Sequence, residues 1–266
     1  MSNEGVVVLV PREPTAVIAS IAHGGREFPV DLADELIADP ESLWSDWYTP
    51  DLYSFTPTLG ITTIINRLSR FVADPNRDPE GPRHGSFWTS VVASTDPWHR
   101  PLYRRPLTDA EIDARLSRAH QPFHAALVDA VEQVRDLHGE VLLLDLHSFG
   151  MPLDADVVIG DRSGRSGTRA AVELVEQALE AESFRTARNR RWPGGWIVRR
   201  FEDDRAVDAL QLELDLRTYL QPLGVEQLPT PPPLSHDAMA AARQRLTSAF
   251  VRIVDRFPPT SPRRRC

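Results

Sequence analysis

Two short apolar runs frame the chain. Ala16-Val17-Ile18-Ala19-Ser20-Ile21-Ala22 and Val141-Leu142-Leu143-Leu144-Asp145-Leu146 are apolar on both faces of an extended backbone, the pattern of strands buried inside a parallel sheet. Val6–Val10, ending before Pro11, reads as an edge strand, and residues 61–65 and 157–159 read as further strands. Strands are also predicted near 195–201 and 209–215. Helical periodicity runs from Ile112 through Leu116, Ala119, Phe123, Leu127, Val131 and Val134. It is opened by the capping box Thr108-Asp109-Ala110-Glu111 and closed by Gly139. Further helices are expected near 50–58, at 168–182, and after the cap Ser235. Residues 229–233 should form a stiff proline link, Pro258-Pro259 a stop, and Arg263–Cys266 a frayed tail. Residues 74–105 show no period and are rich in Pro, Arg, His and Trp, as expected of a long functional loop. Strands alternating with helices predict an α/β fold, a mostly parallel or mixed central sheet flanked by helices, as one domain over residues 1–266.

Both inner strands run into a histidine, His23 before Gly24-Gly25 and His147 before Ser148. Ligands of open α/β sheets gather beyond the carboxyl ends of the strands, and imidazole is a common metal ligand. Two such groups with one carboxylate suffice for a catalytic zinc. Asp145 shares a face with His147 and is placed to orient it. The third ligand is open between Glu27 and Asp46. In Leu210-Gln211-Leu212-Glu213-Leu214-Asp215 the acids alternate with leucines, which makes Glu213 a candidate general base or simply part of a wet strand face. Arg77 beside Asn76, in a Pro-rich loop after a strand, is a candidate anion clamp, and Trp192–Trp196 is a lid or a turn.

Composition removes several chemistries. The 266 residues include one cysteine, Cys266, which excludes a disulfide framework and a thiolate zinc site and fits a reducing cytoplasm. All 30 basic residues are arginine, so Schiff-base chemistry and a P-loop lysine are absent, while arginine forks suit carboxylate and phosphate. A net charge of −8 argues against general nucleic-acid binding, and no apolar run is long enough to span a membrane. Ser148 lacks a G-x-S-x-G elbow and is adjacent to His147 in sequence, which disfavours a serine hydrolase. A non-catalytic anion-binding protein remains a third reading.

The ordered set His23-Gly24-Gly25 with Phe28-Pro29, Asp46-Trp47 with Asp51-Leu52-Tyr53, Ser69 through Arg77, Pro101-Leu102-Tyr103, Pro122-Phe123-His124, Asp145-Leu146-His147-Ser148, Asn189 through Arg200 and Gln211-Leu212-Glu213 resembles the N-formylglutamate amidohydrolase (deformylase) family across about residues 14–220. The family is similar to zinc carboxypeptidases and aspartoacylase, which implies a phosphorylase/hydrolase-like sheet and one zinc ion. The resemblance implies His23, Asp46 and His147 as metal ligands, with Glu27 in reserve because Arg26 stands where the carboxypeptidase pattern has its acid. It implies Glu213 as the catalytic glutamate and Asn76 and Arg77 as the pair that grips a substrate carboxylate; in the mechanism this suggests, Arg70 is the candidate oxyanion stabiliser and Arg199 a further candidate for holding substrate carboxylates. The implied substrate is a small molecule, the N-formyl or related N-acyl derivative of an acidic amino acid such as N-formyl-L-glutamate. Pro75, Phe149-Gly150 and Arg200 depart from the family pattern, and these departures bear on the amino acid rather than on the metal.

Overall fold

The computed structural model describes residues 5–37, 39–220 and 231–257. Its strands are β1 (Val6–Leu9), β2 (Val17–Ile21), β3 (Thr62–Asn66), the two-residue pair β4 (His84–Gly85) and β5 (Val92–Ala93), β6 (Val141–Phe149), β7 (Val157–Gly160), β8 (Thr186–Arg188) and β9 (Val207–Asp215). The helices are α1 (Val30–Ala33), α2 (Thr49–Leu52), α3 (Asp109–Arg115), α4 (Gln121–His138), α5 (Arg169–Glu180), α6 (Trp196–Arg199) and α7 (His236–Arg256). Seven strands form one mixed sheet in the order β1-β3-β2-β6-β9-β7-β8. Its centre, β3-β2-β6-β9, is parallel, while β1 and β7 pair antiparallel to their inner neighbours. The expected α/β architecture with a mixed, helix-flanked sheet is what the chain forms.

Period-two alternation divides the central strands between two layers. Leu142, Leu144 and Leu146 of β6 and Leu210, Leu212 and Leu214 of β9 pack under α5 and α7. Val141 and Leu143 of β6, Val207 and Ala209 of β9, and Ile18 of β2 pack against Phe123, Leu127 and Val131 of α4 and Ile197 of α6. On this second face every strand turns polar as it approaches its carboxyl end: Ser20 on β2, Asp145 and His147 on β6, Gln211 and Glu213 on β9. The apolar beginning of each series anchors the strand, and the polar end supplies the chemistry. The polar side of β9 is not a wet strand face: Gln211, Glu213 and Asp215 are buried.

The capping box at Thr108 forms as expected, with Thr108 Oγ1 accepting from the Glu111 amide and Glu111 accepting from the Thr108 amide. Between α3 and α4 the helix widens into a π turn, Leu116–His120, where the Gln121 amide reaches back to the Leu116 carbonyl. Pro122 follows directly; it has no N–H to donate and its ring would press on the carbonyl four residues back, and the wider turn relieves both. Two expectations need correction. Residues 196–199 are helical rather than extended, because the amides of Gly195 and Ile197 are held by the side chains of Gln211 (2.8 Å) and Asn76 (3.0 Å). The helix expected over 50–58 is two single turns, Thr49–Leu52 and a 3-10 turn Thr56–Leu59, interrupted around Tyr53 and Phe55 as they pack into the core. Strand β8 carries no apolar alternation and is held by its ladder to β7. The expectations for Pro229, Pro258-Pro259 and Arg263–Cys266 lie outside the described residues.

Candidate metal centre and active site

His23 lies just past β2, where the chain passes so near its neighbours that a side chain is excluded. A Cβ on Gly24 would meet Pro50 Cδ at 2.5 Å, and one on Gly25 would meet the Arg67 backbone at 2.3 Å. The loop before α2 is tied to this turn by its own hydrogen bonds: the Asp46 amide and the Ser45 hydroxyl both donate to the His23 carbonyl, at 3.1 and 2.7 Å. Asp46 thereby faces the end of β6. Its Oδ2 lies 3.7 Å from His23 Nδ1 and 3.0 Å from His147 Nδ1, and it also accepts from the Ser148 amide. The two imidazoles meet edge to face with centroids 4.6 Å apart. Donor atoms of His23, Asp46 and His147 all lie within 4.8 Å of one another, and all three residues are buried.

The far nitrogen of each ring is held by a carboxylate. His23 Nε2 is 2.6 Å from Asp74 Oδ1, and His147 Nε2 is 2.7 Å from Asp145 Oδ2. A carboxylate only accepts, so each Nε2 carries the proton and donates it outward, leaving both Nδ1 atoms turned towards Asp46. Asp145 is itself fixed by Ser20 Oγ at 3.0 Å. Asp74 is fixed by Arg70, whose Nε donates to Oδ2 at 3.1 Å and whose guanidinium lies over the Phe87 ring.

Electrostatics supports one shared cation. Burial penalises the Asp46 carboxylate, but hydrogen bonds from His147 and His23 outweigh it and hold Asp46 well below the usual carboxylate range. Burial works against the His147 imidazolium as well, yet Asp145 beside it and Asp46 across the gap raise its pKa well above the ordinary value. Without metal, a proton on His147 Nδ1 therefore bridges to Asp46, in the place where a divalent ion would sit; metal binding at such a site expels that proton. Two nitrogens and one oxygen, with oriented imidazoles, form a donor set suited to zinc.

Glu213 faces the same space, in direct register with His147 across the β6–β9 ladder, as Gln211 is with Asp145. Burial, reinforced by Asp46 and Asp145 and opposed by His147 and Arg70, pushes the Glu213 carboxyl up to about 8, while Gln211 Nε2 donates to its Oε1 at 2.8 Å. Arg77 borders the cavity with its Nε buried and unpartnered and one Nη donating to the Asn76 carbonyl. Asn76 also lines the cavity, but its amide is engaged, donating to Gln211 Oε1 at 3.1 Å and accepting from the Ile197 amide. Two neutral histidines hold the loop from behind: His124 and His120 point Nε2 at the carbonyls of Pro75 (2.8 Å) and Arg77 (3.0 Å), on either side of Asn76.

Other sequence candidates lie elsewhere. Glu27 pairs with Arg67 in a half-exposed surface contact and is outside the ligand cluster. Arg199 turns outward to Asp78 at 3.1 Å and stacks on Trp196. Ser148 Oγ makes no hydrogen bond, to His147 or to any other described group. Sequence reasoning gave Asp74 no role, although it orients His23 and Arg70 together; nothing in an aperiodic loop marks which acid returns to a histidine fifty residues earlier. Gln211 was passed over in the same way, although it joins Glu213, Asn76 and the Gly195 amide. The cavity above the site measures about 730 Å³. No described helix is long and apolar enough to cross a membrane.

This chain is 28% identical over 218 residues to N-formylglutamate deformylase of Pseudomonas putida, covering 77% of this chain and 82% of that one. It is 29% identical over 227 residues to N-formylglutamate deformylase of Pseudomonas aeruginosa, covering 80% and 85%. The crystal structure of N-formylglutamate amidohydrolase from Ralstonia eutropha superposes with a TM-score of 0.79 at 26% identity, over 94% of this chain and 97% of that chain. Residues 15–220, a span that holds strands β2 to β9, the His-Asp-His cluster and Glu213, match the N-formylglutamate amidohydrolase family, and the chain belongs to that family.

Proposed function

We propose that this enzyme is a zinc-dependent amidohydrolase that cleaves the N-formyl or related N-acyl amide of an amino acid, with N-formyl-L-glutamate as its reference substrate, releasing formate and the free amino acid. The observation that carries this reading is the convergence of His23, Asp46 and His147, each imidazole locked by an outer carboxylate, beside Glu213. A divalent ion held by these three residues would supply a Lewis acid and a water acidified towards neutrality.

The chain's own groups divide the remaining work. Glu213, buried and held at Oε1 by Gln211, takes a proton from the attacking water and returns it to the amide nitrogen as the C–N bond breaks. Proton delivery matters because an unprotonated amide nitrogen is a poor leaving group. Its elevated pKa suits both halves of that task. Arg70, aimed by Asp74, offers charge to the oxygen of the tetrahedral intermediate. Arg77 uses its unengaged donors on the substrate carboxylate, and Asn76 braces the loop that presents it. Arg199 is a rim residue in this reading, reaching substrate only by leaving Asp78. The test is release of glutamate from N-formyl-L-glutamate by protein stripped with chelator and then reloaded with zinc. Turnover should vanish and return; turnover indifferent to the chelator refutes the metal.

A further inference from the structure

The walls of the active-site cavity differ in kind from its floor. The floor is polar, whereas the sides are aromatic: Trp44 packs on Trp47 (centroids 4.4 Å) and Trp98 (5.6 Å), Phe149 lies against Trp192 (4.7 Å), and Phe87 meets Trp88 (5.1 Å). Trp98 and Trp88 remain 45% and 42% exposed at the mouth, so these rings present apolar faces to whatever enters. Gly150 contributes to this wall. A Cβ there would come within 3.2 Å of the Trp44 ring, so the bare backbone lets the indole lie against the end of β6.

Charge is scarce by comparison. Three guanidinium groups border the cavity, those of Arg70, Arg77 and Arg191. Arg70 is committed to Asp74, and Arg191 is exposed at the rim over Trp192. Arg70 is moreover assigned to the oxyanion, which leaves Arg77, its Nε buried without a partner, to meet a substrate carboxylate in the interior. One substrate carboxylate is therefore answered inside. A second would lie among indole faces with only the solvent-exposed Arg191 at the rim to meet it, an arrangement that burial disfavours. The cavity of about 730 Å³ is also far roomier than N-formylglutamate requires.

Resting on the amidohydrolase reading above, we infer that the preferred substrates are N-acyl amino acids with a single carboxylate and a bulky aromatic group, the carboxylate on Arg77 and the ring among Trp44, Trp98, Phe149 and Trp192. The ring can belong to the amino acid or to the acyl group, since either is attached within reach of the same amide.

The experiment compares kcat/KM of the zinc-loaded enzyme for N-formyl-L-glutamate, N-formyl-L-phenylalanine and N-phenylacetylglycine, the last two separating the sources of the ring. One aromatic substrate should exceed N-formylglutamate at least tenfold, and W98A should erase most of that advantage by raising KM. In parallel, quenching of tryptophan fluorescence should show N-acetyl-L-phenylalanine binding at least tenfold tighter than N-acetyl-L-glutamate. A tenfold preference for N-formylglutamate, removed by R191A, overturns this inference and leaves the amidohydrolase standing. If no compound is hydrolysed, the amidohydrolase reading fails, and the fluorescence comparison alone decides the specificity: equal or weaker binding of the aromatic ligand refutes it.

Discussion

Asp145 and Asp74 hold the two histidines in the same manner, yet their removal should have different consequences. Asp145→Asn keeps the shape and the link to Ser20 while withdrawing the buried charge behind His147. Loss of such an outer carboxylate weakens metal binding about 10–100-fold, which corresponds to about 1.4–2.8 kcal/mol. Asp74→Asn should weaken the metal to a similar degree through His23, but it also strips Arg70, 7% exposed, of its only described carboxylate partner. An uncompensated buried charge costs about 3–5 kcal/mol, and at about 2–4 °C per kcal/mol for a chain of this size the melting temperature should fall by about 6–20 °C. The assay is paired: zinc affinity by competition with a chromophoric chelator, and thermal unfolding of the metal-free proteins, where zinc linkage is absent. The reasoning is refuted if D145N binds zinc within twofold of the parent, or if D74N is no less stable than D145N.

Glu213→Gln should retain stoichiometric zinc and lose about 10²–10⁴ in kcat; metal analysis with steady-state kinetics checks this, and more than a tenth of the parental rate would remove Glu213 from its assigned role. The metal-free protein should lose stability as pH rises from about 6.5 to about 8; below that window His120 and His124, whose pKa values burial lowers, act with the opposite sign. Glu213, with its pKa raised by burial, holds a proton in the folded state that the unfolded chain has released, and His147, also raised, acts with the same sign above its ordinary value near 6.5. Zinc displaces the proton on His147, so the fall should flatten when melting curves are repeated with the ion. Glu27→Gln should leave zinc content unaltered and stability within about 0.5 kcal/mol, as its contact with Arg67 is half exposed; inductively coupled plasma analysis and chemical denaturation test both halves.

What could be read along the chain was whatever repeats or alternates. β2 and β6 announce themselves by being apolar on both faces, each of which other elements cover, and β9 by its strict alternation; the two histidines follow from where β2 and β6 run out. The pairing of Asp145 with His147 required only the two-residue period of a strand. Asp46 is different: its spacing from His23 left it level with Glu27, and only the family resemblance favoured it. Its position depends on hydrogen bonds from Asp46 and Ser45 back to the His23 carbonyl, which no periodicity reports. The same holds for α6. Trp196-Ile197-Val198-Arg199 reads as a strand by residue preference, but side chains from Asn76 and Gln211 grip the amides at its start and turn it into a helix. That turn also carries Arg199 outward, which is why an arginine predicted near the substrate meets Asp78 instead.

The π turn before Pro122 sets the phase of everything downstream on that helix. That turn holds one residue more than an α turn, so removing one would close it to ordinary α geometry and set the Pro122 ring against the carbonyl four residues back, kinking the helix where His120 and His124 buttress the loop. A single-codon deletion among residues 116–120, far from any reacting atom, would thus unmoor the loop bearing Asp74 and Arg77. Drift in length is tolerable on the solvent side of this molecule, but along this stretch the residue count is itself part of the catalytic apparatus.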